Sequence, residues 1–251
     1  MFSYALLMAV NHKTVAMLVI GNEVLSGRTR EANAYLAAQK LFDRGCKLGE
    51  IAVVPDIHDA IVSTLNRLRS QFDAVITSGG IGPTHDDITM DSVAAAFGVE
   101  LMEHKIAVQL MTERYGEEGM NDGRRRMTRV PKGSHLIRCE KTIAPGARIE
   151  NVYVLAGVPY IFESQLDSIL PRFGDGEHPF IRHEIDVEIP ESAFAKGLET
   201  IQNSYNNVEI GSYPRMCGNK PCGKICLSSQ NADVLALAVQ EVEAMLQGLN
   251  D

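Results

Sequence analysis

Asp73-Ala74-Val75-Ile76 runs directly into Thr77-Ser78-Gly79-Gly80-Ile81-Gly82-Pro83-Thr84-His85-Asp86-Asp87-Ile88-Thr89. The first four residues are short, apolar and partly β-branched, the pattern of a buried strand, and apolar residues resume at helical spacing from Asp91 to Phe97. A strand, a glycine loop and a helix N-terminus in that order gather backbone N–H groups and the positive end of a helix dipole around one small volume. Gly79, Gly80 and Gly82 let the backbone approach a ligand, and Pro83 stiffens the turn. Ser78, Thr84 and Thr89 offer hydroxyl donors. Asp86 and Asp87 accept only, so they meet a phosphate through a divalent cation between them. A Gly-Gly-x-Gly turn alone is an ordinary connection, and an Asp-Asp pair alone is an ordinary start to a helix. Together, after a buried strand, they point to a phosphate and metal site.

The loop fits neither common glycine motif. Its spacing is not Gly-x-Gly-x-x-Gly, and no Gly-Lys-Ser/Thr follows, which sets aside a Rossmann dinucleotide site and a P-loop.

Outward from the loop, strands are expected at Val15 to Ile20, Ile51 to Val54 and Val152 to Leu155. Helices are expected at Ala32 to Asp43, His58 to Leu68, Ser92 to Phe97, Ile106 to Tyr115 and Tyr160 to Leu170. Alternating strands and helices imply an α/β fold in three layers, a mostly parallel sheet with helices on both faces. Gly116 to Arg126 is polar and glycine-containing, a mobile lid candidate. Arg124-Arg125-Arg126 is the one dense basic run; a solvated role ranks ahead of neutralising a polyphosphate. After the linker-like Gly174 to Pro179, strands at Ile181 to Ile189, Val208 to Ser212 and Lys224 to Ser228 and helices at Glu191 to Gln202 and Ala232 to Leu246 form a small C-terminal α+β subdomain. The domain reading is therefore an N-terminal extension over 1–13, an α/β domain over 14–173 and the α+β subdomain over 180–251.

The quoted loop resembles the signature of the molybdopterin-binding, MoaB/Mog-type domain, in the version found in the N-terminal domain of CinA and in FAD synthases. Gly21-Asn22-Glu23-Val24-Leu25-Ser26-Gly27 with Asn33 is similar to the family's first motif, with Asn22 in place of its usual Asp. Val54-Pro55-Asp56 resembles the second strand end, and Ala144-Pro145-Gly146 and Leu155-Ala156-Gly157-Val158-Pro159 resemble the later loops. Ala156 stands where many relatives carry Pro, and Cys139 where many carry Asn. Gly211-Ser212-Tyr213-Pro214 extends the likeness into the segment that follows.

The resemblance implies a MoaB/Mog-like fold and a metal-dependent pyrophosphatase that cleaves a dinucleotide such as ADP-ribose or FAD. Asp86, Asp87 and Asp56 are then the expected catalytic acids. Ser78, Gly79, Gly80, Gly82, Pro83, Thr84, Asn33, Gly157 and Pro159 would bind phosphate and substrate, and Asp86, Asp87 and Glu23 would hold Mg, Mn or Co. Two other readings stay open: molybdopterin binding or adenylyl transfer, with Asp56 and Asp87 as its acids, and a non-catalytic nucleotide binder. A dimer or trimer is expected by the same analogy. Because the sequence ends after the small subdomain, neither the deamidase activity of longer CinA proteins nor FAD adenylylation is expected of it.

The remaining features set bounds. In 251 residues, 45% are hydrophobic, enough for a sizeable core. A net charge of −8 argues against a nucleic-acid surface. Phe2 to Val10 is apolar but shorter than the ~20 residues of a membrane span, and it lacks a signal peptide's basic start. Residues 1 to 12 read as a loose extension, or the start lies at Met8. Five cysteines without a signal read as free thiols in a reducing cytoplasm. Cys217, Cys222 and Cys226 lack a Cys-x-x-Cys pair and a nearby His, which disfavours zinc. His85 reads as a solvated loop histidine ahead of a ligand contact.

Overall fold

Strand β1 (Thr14–Ile20) sends alternate side chains into two different cores, and that alternation sets the layers of the larger unit. Val15, Met17 and Val19 join one cluster with Ala34, Ala37 and Leu41 of helix α2 (Asn33–Phe42), which follows the short α1 (Asn22–Leu25). Ala16, Leu18 and Ile20 join the other, against Ile61, Leu65 and Leu68 of α3 (His58–Gln71), which follows β2 (Lys47–Val54). A strand covered on both faces has no polar side, which is why β1 reads as a continuous apolar run. Each fully buried Leu or Ile on these faces contributes roughly 1.5–3 kcal/mol relative to exposure.

The computed structural model describes residues 11–218 and 220–250, and the chain divides into two compact units at Gly176 and Glu177. In the first unit, β3 (Ala74–Ser78) leads to α4 (Thr89–Phe97), β4 (Leu101–Glu103), α5 (Lys105–Tyr115), α6 (Asp122–Arg126) and β5 (Arg129–Pro131). Then come β6 (His135–Ile137), β7 (Gly146–Ile149), β8 (Val152–Leu155) and α7 (Pro159–Ile169). The main sheet has the order β2-β1-β3-β8-β7-β6. Its first four strands are parallel, and at the far edge β7 runs antiparallel to β8 and β6 antiparallel to β7. The larger unit is thus a three-layer α/β architecture around a mostly parallel sheet. Since β2 and β3 flank β1 on opposite sides, the chain reverses direction across the sheet there, and such a switch point opens a crevice at the carboxyl ends. Gly49 is the extra residue where the β1–β2 register shifts, which hides the first half of β2 from a periodicity reading.

In the second unit, β9 (Ile181–Val187), β10 (Glu209–Cys217) and β11 (Lys220–Ser229) form an antiparallel sheet in the order β10-β11-β9. Ile225 and Leu227 share a core with Phe194, Leu198 and Ile201 of α8 (Glu191–Ser204) and with Leu235, Ala238, Val242 and Leu246 of α9 (Ala232–Asn250). Both helices therefore bury apolar positions at helical spacing against one sheet face.

Three expectations need correction. Gly116 to Arg126 is not an unstructured lid: Asn121 accepts the Arg124 amide at 3.0 Å and caps α6, and Arg124 lies 4.0 Å from the centre of the Tyr115 ring. Residues 1–10 of the expected extension, with Met8, lie outside the described residues. His12, also assigned to that extension, is buried: it donates its amide to Arg172 O, accepts from Gly174 N–H, and its Nε2 lies 3.0 Å from the Tyr153 hydroxyl. The cysteines are not all free, because Cys217 and Cys222 are joined in a disulfide while Cys46, Cys139 and Cys226 are thiols. Burial pushes the Cys46 thiol up to about 12, so it is inert. Among the described residues no helix is long and apolar enough to cross a membrane.

Candidate functional site

Four loops leave the carboxyl ends of β1, β2, β3 and β8 and lock onto one another. Gly21 N–H donates to Val54 O at 3.2 Å, and Asn22 N–H to Asp56 Oδ2 at 2.8 Å, joining the ends of β1 and β2. Gly79 N–H reaches Leu155 O at 3.3 Å, joining β3 to β8. Asn33 Nδ2 donates to Ser78 Oγ at 2.9 Å and to Gly157 O at 2.8 Å, tying α2 to both.

This crowding is what demands glycine. Gly79 has φ +106, and a Cβ there would lie 2.2 Å from Ile20 O; a Cβ on Gly80, at φ +66, would lie 2.3 Å from Thr89 Oγ1. Thr89 in turn donates its hydroxyl to Gly79 O at 2.9 Å and its amide to Gly80 O at 3.0 Å, so the turn is held from inside. A Cβ on Gly157 would sit 3.1 Å from Gly79 Cα, so the β3 and β8 loops touch through bare backbone. Among the described residues, no acceptor pairs with the successive amides of Gly80, Ile81 and Gly82, all of them half-buried. Buried amides are nearly always paired, so three successive open donors with partial solvent access offer an anion a place to accept.

The two carboxylates sit beside these amides. Asp87 Oδ2 accepts from Thr84 N–H at 2.8 Å and lies 2.6 Å from Thr84 Oγ1; Asp86 Oδ1 is also 2.6 Å from that hydroxyl. The acids therefore shape their own loop. They do not cap α4, whose N-cap Ile88 carries no side-chain bond. A hydroxyl has one proton, so it serves one carboxylate at a time, and the second close oxygen pair calls for another positive partner. The Thr84 hydroxyl bond, with smaller help from His85 and Arg126, holds the Asp86 carboxyl below its usual range, keeping it ionised. Thr84, Asp86 and Asp87 thus set three hard oxygens side by side, the donor type that divalent cations such as Mg²⁺ take.

The expected site residues fall into distinct groups. Gly79, Gly80, Gly82, Thr84, Asp86 and Asp87 are brought together in one loop. Ser78 and Asn33, expected on phosphate, are 2% and 4% exposed and bond each other, which makes them clamps. Asp56, expected in catalysis, fixes the Asn22 amide. Pro83 packs beside Gly123 of α6, where a Cβ would meet it at 3.1 Å, and Pro159 opens α7. Glu23, expected as a metal ligand, folds back against Gly21. Among the described residues no three His, Cys, Asp or Glu side chains gather as a metal ion needs, so Glu23 does not join Asp86 and Asp87 as a third acid.

The basic run, expected to be solvated ahead of neutralising a polyphosphate, places one member, Arg126, against the loop. An open cleft beside the loop is lined by Gly80, Gly82, Asp87, Met90, Met127 and Arg126 among others. Arg126 donates to Asp87 O from Nη2 at 3.0 Å and Nε at 3.3 Å, so the basic run is not simply solvated. Asn121, three residues ahead of Arg124, was the available signal of a capped turn aiming this run.

Residues 16–175 match the family described as probable molybdopterin binding domain, and residues 179–249 match the FAD synthase middle domain. A Pyrococcus furiosus protein is 35% identical over 89% of this chain and 93% of its own length. A probable FAD synthase of Caenorhabditis elegans is 30% identical over 94% of this chain but 50% of its own, so the chain spans half the length of that relative. Among solved structures, CinA from Thermoplasma acidophilum covers 62% of this chain and 95% of its own, with a TM-score of 0.59 and 30% identity.

Proposed function

Because this chain belongs to the probable molybdopterin binding domain family, we propose that its glycine loop binds the diphosphate of a dinucleotide such as ADP-ribose or FAD and hydrolyses the P–O–P link with a divalent cation. The observation that carries this reading is the run of unpaired amides at Gly80, Ile81 and Gly82 beside two ionisable acids. Phosphate oxygens satisfy the amides, while the paired carboxylates alone would repel them. A bound Mg, Mn or Co ion supplies charge neutralisation and a water of lowered pKa. Asp86, Asp87 and Thr84 would hold that ion. Asp56 and Asn33 act at one remove, fixing the Gly21 and Gly157 loops against Gly79. In the reaction, water oxygen joins one phosphorus, the bridging oxygen leaves with the other, and the water's protons pass to solvent.

The test is incubation of purified protein with ADP-ribose, FAD and coenzyme A under Mg²⁺, Mn²⁺ or Co²⁺, with chromatography of the mononucleotide products. Turnover that vanishes in Asp87→Ala is expected, and absence of product with every metal overturns the proposal. The family description favours a second reading, a pterin phosphate in the same cradle. Tight molybdopterin binding with ATP-dependent adenylylation would select it.

A further inference from the structure

Helix α6 braces the phosphate loop from outside, and its last residue, Arg126, keeps part of its charge in hand. Three contacts make the brace: Asn121 caps α6 through the Arg124 amide, Gly123 lies against Pro83, and Arg126 grips the Asp87 carbonyl through Nε and Nη2. Arg124 secures the preceding turn by donating to Gly119 O and stacking on Tyr115. A guanidinium carries five N–H donors in a rigid fork, and the carbonyl takes two. Among the described residues the other three have no partner, and the side chain lines the same cleft as Gly80, Gly82 and Asp87. A half-buried cation with unused donors, facing a row of unpaired amides across a small cleft, is built to receive a second anionic group.

Resting on the diphosphate reading above, we propose that Arg126 is the specificity residue for the second phosphate, so that the site selects diphosphates over monophosphates. The loop amides hold one phosphate, and the free edge of the Arg126 guanidinium takes a non-bridging oxygen of the next. Its grip on the Asp87 carbonyl fixes both the guanidinium and the acid loop, so the two phosphates are met by groups of set spacing.

Calorimetric titration with ADP-ribose and with AMP, both with Mg²⁺ and at low temperature, tests this in the full chain. Wild-type protein is expected to bind ADP-ribose at least about tenfold more tightly than AMP. Arg126→Gln is expected to remove most of that preference by weakening ADP-ribose binding while changing AMP affinity less than about twofold, and Arg126→Lys to restore part of it. A thermal melt of each variant reports whether the fold persists. Equal loss of both ligands in Arg126→Gln would reduce the residue to a brace for Asp87 and overturn the inference, leaving the diphosphate reading in place. Wild-type protein that binds neither ligand would overturn that reading itself. If Arg126→Gln fails to fold, Arg126→Lys against wild type decides, since unchanged discrimination in that variant also refutes the assignment.

Discussion

The two ends of the main sheet are built from the same strands and solve opposite problems. At the amino end the carboxylate is spent internally. Asp73 accepts the amides of Lys13 and Thr14, both at 2.9 Å, and the Thr14 bond together with the Lys13 bond holds its carboxyl below the usual range. Around it, His12, Tyr153 and Phe173 pack ring against ring, with centroids 5.1–5.7 Å apart. At the carboxyl end the strands stop in bare glycine backbone, three amides are left open and two acids compete for one hydroxyl proton. The lesson is that open backbone donors clustered beside solvent, and not an isolated gap such as the buried Arg148 Nε, distinguish the end proposed to bind ligand from the end that supports it.

The sharpest way to break this contrast is Gly79→Ala. Its Cβ would strike Ile20 O, and the substitution should destabilise the first unit by about 3 kcal/mol or more, read as a lower urea midpoint, with nucleotide binding lost. A wild-type midpoint would show that the loop yields easily. Asp87→Asn keeps an acceptor for the Thr84 amide but loses the charge. Hydrolysis should fall at least about a hundredfold, roughly 2.7 kcal/mol of barrier, with little change in the midpoint. Tyr153→Phe tests the other end. Removing the hydroxyl that faces His12 should lower stability by about 1–2 kcal/mol while ADP-ribose affinity stays put, and a change in affinity would mean the ends are coupled.

The smallest expected effect is a pH dependence at that same end. Burial holds the His12 imidazole below its ordinary value of 6.5; Asp73 opposes this, while Arg148 and Arg172 reinforce it. Above 6.5 the ring is neutral folded or unfolded and contributes no pH dependence. As pH falls below that value the unfolded chain takes up a proton that the folded one resists, so stability is lost on acidification. Melting at pH 7.5 and 5.5 should show a drop of about 2 °C that shrinks in His12→Gln. Identical slopes in the two proteins would place the titrating group elsewhere.

Most of the larger unit was readable from sequence because its strands are buried on both faces and its helices carry plain apolar stripes. The strands that went unseen, β4 to β7, are short, set among Pro131, Gly133 and Pro145, and unlike the equally short β8 carry no unbroken apolar run. The loop glycines and acids were legible as a cluster because their types are costly to combine without purpose. Their division of labour was not. That Ser78 and Asn33 bond each other, or that Asp56 holds an amide, depends on contacts between residues 34 to 124 positions apart, which local composition does not encode. That Glu23 folds back against Gly21 is hidden from the sequence for the same reason. The Cys217–Cys222 link escaped because an odd cysteine count was read through compartment, whereas pairing depends on where the strands β10 and β11 turn back.

His12 also sets a practical boundary for anyone trimming this chain. It is strapped to Arg172 and Gly174 by its backbone and closes over Tyr153 and Phe173 with its ring, so it behaves as a cork in the floor of the sheet. A shortened version beginning at Lys13 would pull that cork, wet two aromatic rings and leave the Tyr153 phenol to Arg148 alone, harming the fold at the pole opposite the proposed ligand site.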